Sequence, residues 1–218
     1  MSENNMTNTS QKIHTLKRYQ PTCIRLWHWL NALIVFGLLA TVVLRKTFLS
    51  WRTNSVLIEE NIKATGAPID VELTKQIAKS IRDVMWEWHI RLGIALALLL
   101  IFRIVIRFVA KRCPSLEALA AWKASARHVA AVRLSYFGYL LIALFMSVTG
   151  LLMHFKNELT ISKDLIETLK ESHEFTMWLV VIFVVMHIIG VIFGELTHYR
   201  GIVSYMINGG DREENSKP

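Results

Sequence analysis

Four of the eight histidines stand where ionisable side chains are uncommon. From Phe175 to Gly194, twenty residues run with His187 as their only ionisable group, and His173 lies fourteen positions upstream of it. At about 100° and 1.5 Å per residue, fourteen steps return to within roughly 40° of the starting direction and advance about 21 Å. Both imidazoles therefore leave the same face of one helix, close to its two ends. A histidine at a membrane edge is often only a polar residue among the headgroups, whereas one inside a span is costly and marks function. Imidazole is a haem-iron ligand, and a six-coordinate haem needs two axial ligands. The stretch thus predicts two further histidines, one at each level.

The elements that must carry them are visible as apolar runs. The chain is 53% hydrophobic with seven Trp, and four runs reach the roughly 20 residues that cross a hydrocarbon core. The expected fold is all-α, an integral membrane four-helix bundle with spans at about 24–44, 88–109, 132–153 and 174–195. Short amphipathic surface helices are expected beside them. In the 45–87 connection, Ile69, Leu73, Ile77, Ile81 and Val84 recur at helical spacing, which predicts a helix lying on the membrane surface. Leu116, Leu119 and Trp122 predict a short in-plane helix in the 110–131 loop. Residues 1–20 and 211–218 read as mobile tails, and 21–210 as one membrane domain.

The net charge of +8 invites a nucleic-acid reading, but the cations flank apolar runs, as membrane topology requires. The N-terminal tail and the 110–131 loop are rich in Lys and Arg, and the 155–172 loop is not. Both termini are therefore expected in the cytoplasm. The two cysteines, Cys23 and Cys113, make no disulfide framework, and the absence of Cys-x-x-Cys-His argues against covalently attached haem.

Topology supplies the missing histidines. His28 opens the first span, which runs outward, and His89 opens the second, which runs inward. His173 is then at the outer level with His89, and His187 is at the inner level with His28. Each level draws its pair from two different helices, the way bundles build cofactor sites. Two bis-imidazole haem sites follow. No carboxylate or thiol accompanies these histidines within the spans, so a zinc or copper site is poorly supported.

At these residues the chain resembles the bacterial cytochrome b561 and Ni,Fe-hydrogenase b-type cytochrome superfamily. The resemblance rests on Arg25-Leu26-Trp27-His28-Trp29-Leu30-Asn31, Trp88-His89-Ile90-Arg91-Leu92-Gly93 and Thr149-Gly150-Leu151-Leu152-Met153. It continues in the His173/His187 spacing and in residues 201–209, and covers about 20–210. It implies two haem b groups and a bacterial inner-membrane location. It further implies electron transfer between a periplasmic-side redox partner or catalytic subunit and the quinone pool. In that setting Arg91 is a candidate for the outer haem propionates, and Arg25 and Arg200 for the inner ones. His198 and Tyr199 are candidates for a quinone site. Each has a plainer alternative as a headgroup-facing cation or a cytoplasmic cap.

Three functions remain open on this reading. The first is the cytochrome b subunit of a respiratory oxidoreductase, with the long outer connection as docking surface. The second is a stand-alone superoxide:quinone oxidoreductase, with Arg45, Lys46, Arg82 and Arg91 steering a small anion. The third is a haem-free transporter or scaffold, which leaves four depth-matched histidines unexplained.

Overall fold

The computed structural model describes residues 22–109, 126–197 and 201–209. Among these the elements are helical throughout: α1 (Thr22–Lys46), α2 (Trp51–Ala64), α3 (Val71–Val109), α4 (Ala126–His154), α5 (Lys163–Leu196) and α6 (Ile202–Asn208). Four of them, α1, α3, α4 and α5, are long and apolar enough to cross a membrane. Much of their apolar surface faces outward. Leu33, Phe36, Leu98, Phe102, Ile182 and Phe193 are all more than half exposed, as lipid-facing residues of a bundle must be.

Helix α1 packs on α3, α3 on α4, and α4 on α5. The core where they meet is built from Trp27, Val35, Leu96, Leu100, Tyr139, Ala143 and Val180. Close approach of α1 to α3 is possible because Gly37 has no Cβ. One placed there would stand 3.0 Å from Leu92 Cδ1. The Trp27 indole N–H adds a bond across the same interface to the Leu99 carbonyl, at 3.1 Å. Helices α1 and α5 meet mainly through side chains. At one end Lys46 pairs with Glu174 at 3.2 Å, and at the other the His28 and His187 rings approach.

The 45–87 connection differs from its expected form. Its apolar stripe does not lie on a separate surface helix. From Leu73 to Val84 it belongs to the first half of α3, whose 39 residues run unbroken for about 58 Å, nearly twice a hydrocarbon core, with Ile69 just before its start. The Asp70 carboxylate caps this helix, accepting from the Glu72 and Leu73 N–H groups at 2.9 and 3.3 Å. Nothing between Val71 and His89 breaks it, since the segment holds neither Gly nor Pro. Helix α2 ends at Ala64 and is followed by Gly66, whose φ of 73° suits glycine; it packs back on this extension over Thr74 and Ala78. The in-plane helix expected at 116–122 and the two tails lie outside the described residues.

Cys23 is disulfide-bonded, and Cys113 lies outside the described residues. Two cysteines are too few for a framework, but that count does not exclude a single bridge.

Candidate functional site: two histidine pairs at two depths

The four histidines fall in two pairs, each pair drawn from two different helices. His28 lies one turn and a half into α1 and His187 near the end of α5, so the two helices, running antiparallel in depth, bring them to one level. Their ring centres are 6.2 Å apart, with the planes tilted by 50°. An imidazole nitrogen binds a metal at about 2 Å and lies about 1 Å from its own ring centre. Two trans imidazoles on one metal therefore have ring centres about 6 Å apart. Among the described residues the Nδ1 of His28 is buried with no hydrogen-bond partner.

The other pair lies at the Lys46 end. His89 and His173 line one cavity of about 470 Å³, within the range of cofactor pockets. Both imidazoles are held by threonine. The Thr41 Oγ1 lies 2.7 Å from His89 Nδ1, and Thr149 Oγ1 lies 2.8 Å from His173 Nδ1. Gly150 keeps the wall thin, since a Cβ there would stand 3.5 Å from His173 Cε1. The Trp86 indole stacks on the His89 ring at 4.6 Å and 3°, and Arg45 lies 4.7 Å over that indole. Among the described residues, Arg45, Lys46, Arg82, Lys156 and Lys170 line this cavity, against one acid, Glu174. Such a collar suits an anionic edge.

Between the two levels runs a chain of rings. The Asn31 amide donates to the Tyr139 hydroxyl. Tyr139 stacks on Phe183 at 4.9 Å, and Phe183 on His187 at 5.9 Å. Tyr139 also lines the cavity at the Lys46 end, so these side chains connect one histidine level with the other.

The candidates beyond the histidines fare differently. Arg91 points away from the cavity, pairing with Glu87 at 3.1 Å and lying over the Trp88 ring. Arg25 spans to the far end of α6, donating to the Ile207 carbonyl at 2.8 Å, and Trp29 donates to the Met206 carbonyl at 3.1 Å. The Glu195 carboxylate completes this fastening by accepting from the Gly201 and Val203 N–H groups at 2.8 and 3.3 Å. His198, Tyr199 and Arg200 lie outside the described residues. Sequence reasoning missed Thr41 as a partner of the histidines and quoted Thr149 without a role. Polar side chains inside apolar spans were the available signal.

The residues present fit haem better than a bare metal ion. Among the described residues no group of three or more His, Cys, Asp or Glu is placed to hold an ion. Porphyrin supplies four nitrogens itself, so two histidines complete its iron. Fold and site together define an integral-membrane four-helix bundle with paired histidines at two depths. A family model, prokaryotic cytochrome b561, matches residues 19–209, and the chain belongs to that family. It is therefore a multi-pass inner-membrane cytochrome whose function is transmembrane electron transfer by b-type haem. Neither the curated proteins nor the solved structures returned a match.

Proposed function

We propose that this chain conducts electrons across the membrane with two haem b groups, one held by His28 and His187 and the other by His89 and His173. One-electron reduction and oxidation is the chemistry these groups supply when bound. The observation that carries the reading is the approach of His28 to His187, 6.2 Å between ring centres, with a second histidine pair, His89 and His173, lining a cavity at the opposite end.

The protein's own part is ligation, orientation and exclusion of water. Trp27, Leu96, Leu100 and Val180 keep the space between the two levels dry. Phe183 fixes the His187 ring by stacking at an interplanar angle of 10°. Arg45 supplies positive charge that propionates need at the His89/His173 site, with Lys46 and Arg82, themselves paired with Glu174 and Asp83, beside it on the cavity lining; Arg91, paired with Glu87, does not line that cavity. At the other site Arg25 and Trp29 hold α6 as a cap beneath His28. His198, Tyr199 and Arg200 follow directly on α5 and remain the candidates for a quinone headgroup and for inner propionates.

The cation-rich 110–131 loop and N-terminal tail put both termini in the cytoplasm and the His89/His173 site toward the periplasm. The partner there is a redox protein or catalytic subunit, with quinone on the membrane side. The cationic mouth favours a second reading, in which a small anion such as superoxide is the periplasmic reactant.

A visible spectrum of the purified protein tests the core of this reading. The expected result is low-spin b-type bands with two haems per chain, and His89→Ala and His187→Ala each removing a different one. Loss of the same haem in both variants overturns the pairing. Purification from mild detergent with a soluble partner supports the subunit role, and purification alone with superoxide-dependent quinone reduction supports the second reading.

A further inference from the structure

The two histidine pairs are built differently, and the difference lies in two hydroxyl protons. A threonine hydroxyl carries one hydrogen and can donate only once. Thr41 Oγ1 lies 2.6 Å from the Leu38 carbonyl on its own helix, an acceptor placed to take that proton. Thr149 Oγ1 is likewise committed to the Phe145 carbonyl at 2.8 Å, with Met146 O at 3.2 Å. Carbonyls donate nothing, so both hydroxyls are left as acceptors toward the imidazoles. With each hydroxyl donating to its own carbonyl, and with Nε2 facing the haem iron of the two-haem reading, the short contacts to His89 and His173 are Nδ1–H donations. An imidazole that carries its proton on Nδ1 has its lone pair on Nε2. Both rings are thus locked in the form that ligates through Nε2.

Burial makes the lock firm. Thr41 is 7% exposed and Thr149 2%, so water does not compete for the bond. The two clamps come from different helices, α1 and α4, and grip rings on α3 and α5. Each His89 and His173 ring is consequently tied to a neighbour as well as to its own backbone. No such partner exists for His28, whose Nδ1 is buried and unbonded among the described residues.

We propose that Thr41 and Thr149 are positioning residues that fix the tautomer and raise the basicity of the His89/His173 pair, and that this sets its haem apart from the one at His28/His187. The inference rests on the two-haem reading above. Donation from Nδ1–H to an oxygen makes Nε2 more electron-rich, which favours ferric iron and lowers the potential of the haem so held. Loss of such a bond typically loosens a ligated metal about 10- to 100-fold.

The test is a redox titration and low-temperature EPR of the intact protein carrying Thr41→Val or Thr149→Val, with Thr→Ser at each position as control. Valine keeps the branched shape and removes the acceptor, and serine restores it. The expected result is an upward shift in the midpoint potential of one haem and a displaced low-spin EPR signal. The same haem is the one that washes out about 10-fold or more faster. It is the haem that His89→Ala abolishes, the other is unmoved, and serine returns the wild-type values. Unchanged potentials in both valine variants overturn the proposal. So does an equal shift of both haems, or a shift that serine fails to reverse, since packing alone produces either. A wild-type protein with only one haem per chain overturns the two-site reading itself and the clamps with it, and is recognised before any variant is made.

Discussion

His28 and His187 come from opposite ends of the chain, yet their imidazole centres stand 6.2 Å apart, the separation of two rings that share one metal. Neither is placed there by its neighbours in sequence. The approach is made by α1 and α5 meeting at one level of the bundle. Because one metal needs both rings, His28→Ala and His187→Ala are expected to remove the same haem. Haem content falls from about two per chain to about one in either variant, and the double variant loses no more than a single. A pyridine haemochrome assay reads this directly.

Tyr139 takes the Asn31 amide inside the bundle, where Asn31 Oδ1 is already buried without a partner among the described residues. Tyr139→Phe leaves that amide with nothing to donate to. Bonds between spans average about 0.6 kcal/mol and reach about 1.7, and an orphaned donor adds desolvation, so a loss of about 1–2 kcal/mol is expected. Thermal unfolding in detergent should begin a few degrees lower. Asn31→Leu combined with Tyr139→Phe removes both partners and should recover most of the loss.

Gly150 faces His173 at a distance that admits a methyl group and little more. Gly150→Ala is expected to keep both haems. Gly150→Leu pushes three further carbons toward the imidazole and should abolish binding at the His89/His173 site alone. Spectra of the two variants separate these outcomes: full absorbance in the first, about half in the second.

Arg91 and Arg45 make opposite predictions although both are arginines near the same histidine. Arg91 is spent on an exposed pair with Glu87, worth less than about 1 kcal/mol. Its replacement by Ala should leave haem content and potentials alone. Arg45 lies over Trp86, which covers His89, and lines the cavity. Arg45→Ala should raise the rate at which haem is lost from that site, followed by transfer to an apo-protein acceptor.

Helix α6 is held by side chains from two spans, Arg25 and Trp29 on α1 and Glu195 on α5. Each such bond contributes about 1 kcal/mol, so Arg25→Ala should free the segment without unfolding the bundle. Gly209→Ala should act in the same direction. Its φ of 87° is strained for any side chain, and a Cβ would meet Arg25 Nη1 at 2.8 Å. Faster cleavage after residue 200 under limited proteolysis, with unchanged haem spectra, is the expected reading.

Hydropathy made the four spans legible, because a run of about 20 apolar residues has few uses outside a bilayer. The same signal misled at 69–84. A stripe at helical spacing reports an amphipathic face but not whether the helix continues, and the continuation into α3 depends on nothing interrupting Val71 to His89. A related limit applies to Arg91. Its distance in sequence from His89 is short, but two residues along a helix turn a side chain by about 200°, away from the ring.

The sequence by itself determined the membrane class, the helical fold and which four imidazoles share which depth. These depend on length, polarity and the 3.6-residue repeat, all of which are local. Tertiary structure alone decided the 6.2 Å meeting of His28 with His187, the cationic collar of Arg45, Lys46 and Arg82, and the grip of Thr41 and Thr149 on the other pair. Those are relations between residues on different helices. Their distances depend on how the bundle packs around Gly37 and its core, which no periodicity along one chain segment encodes.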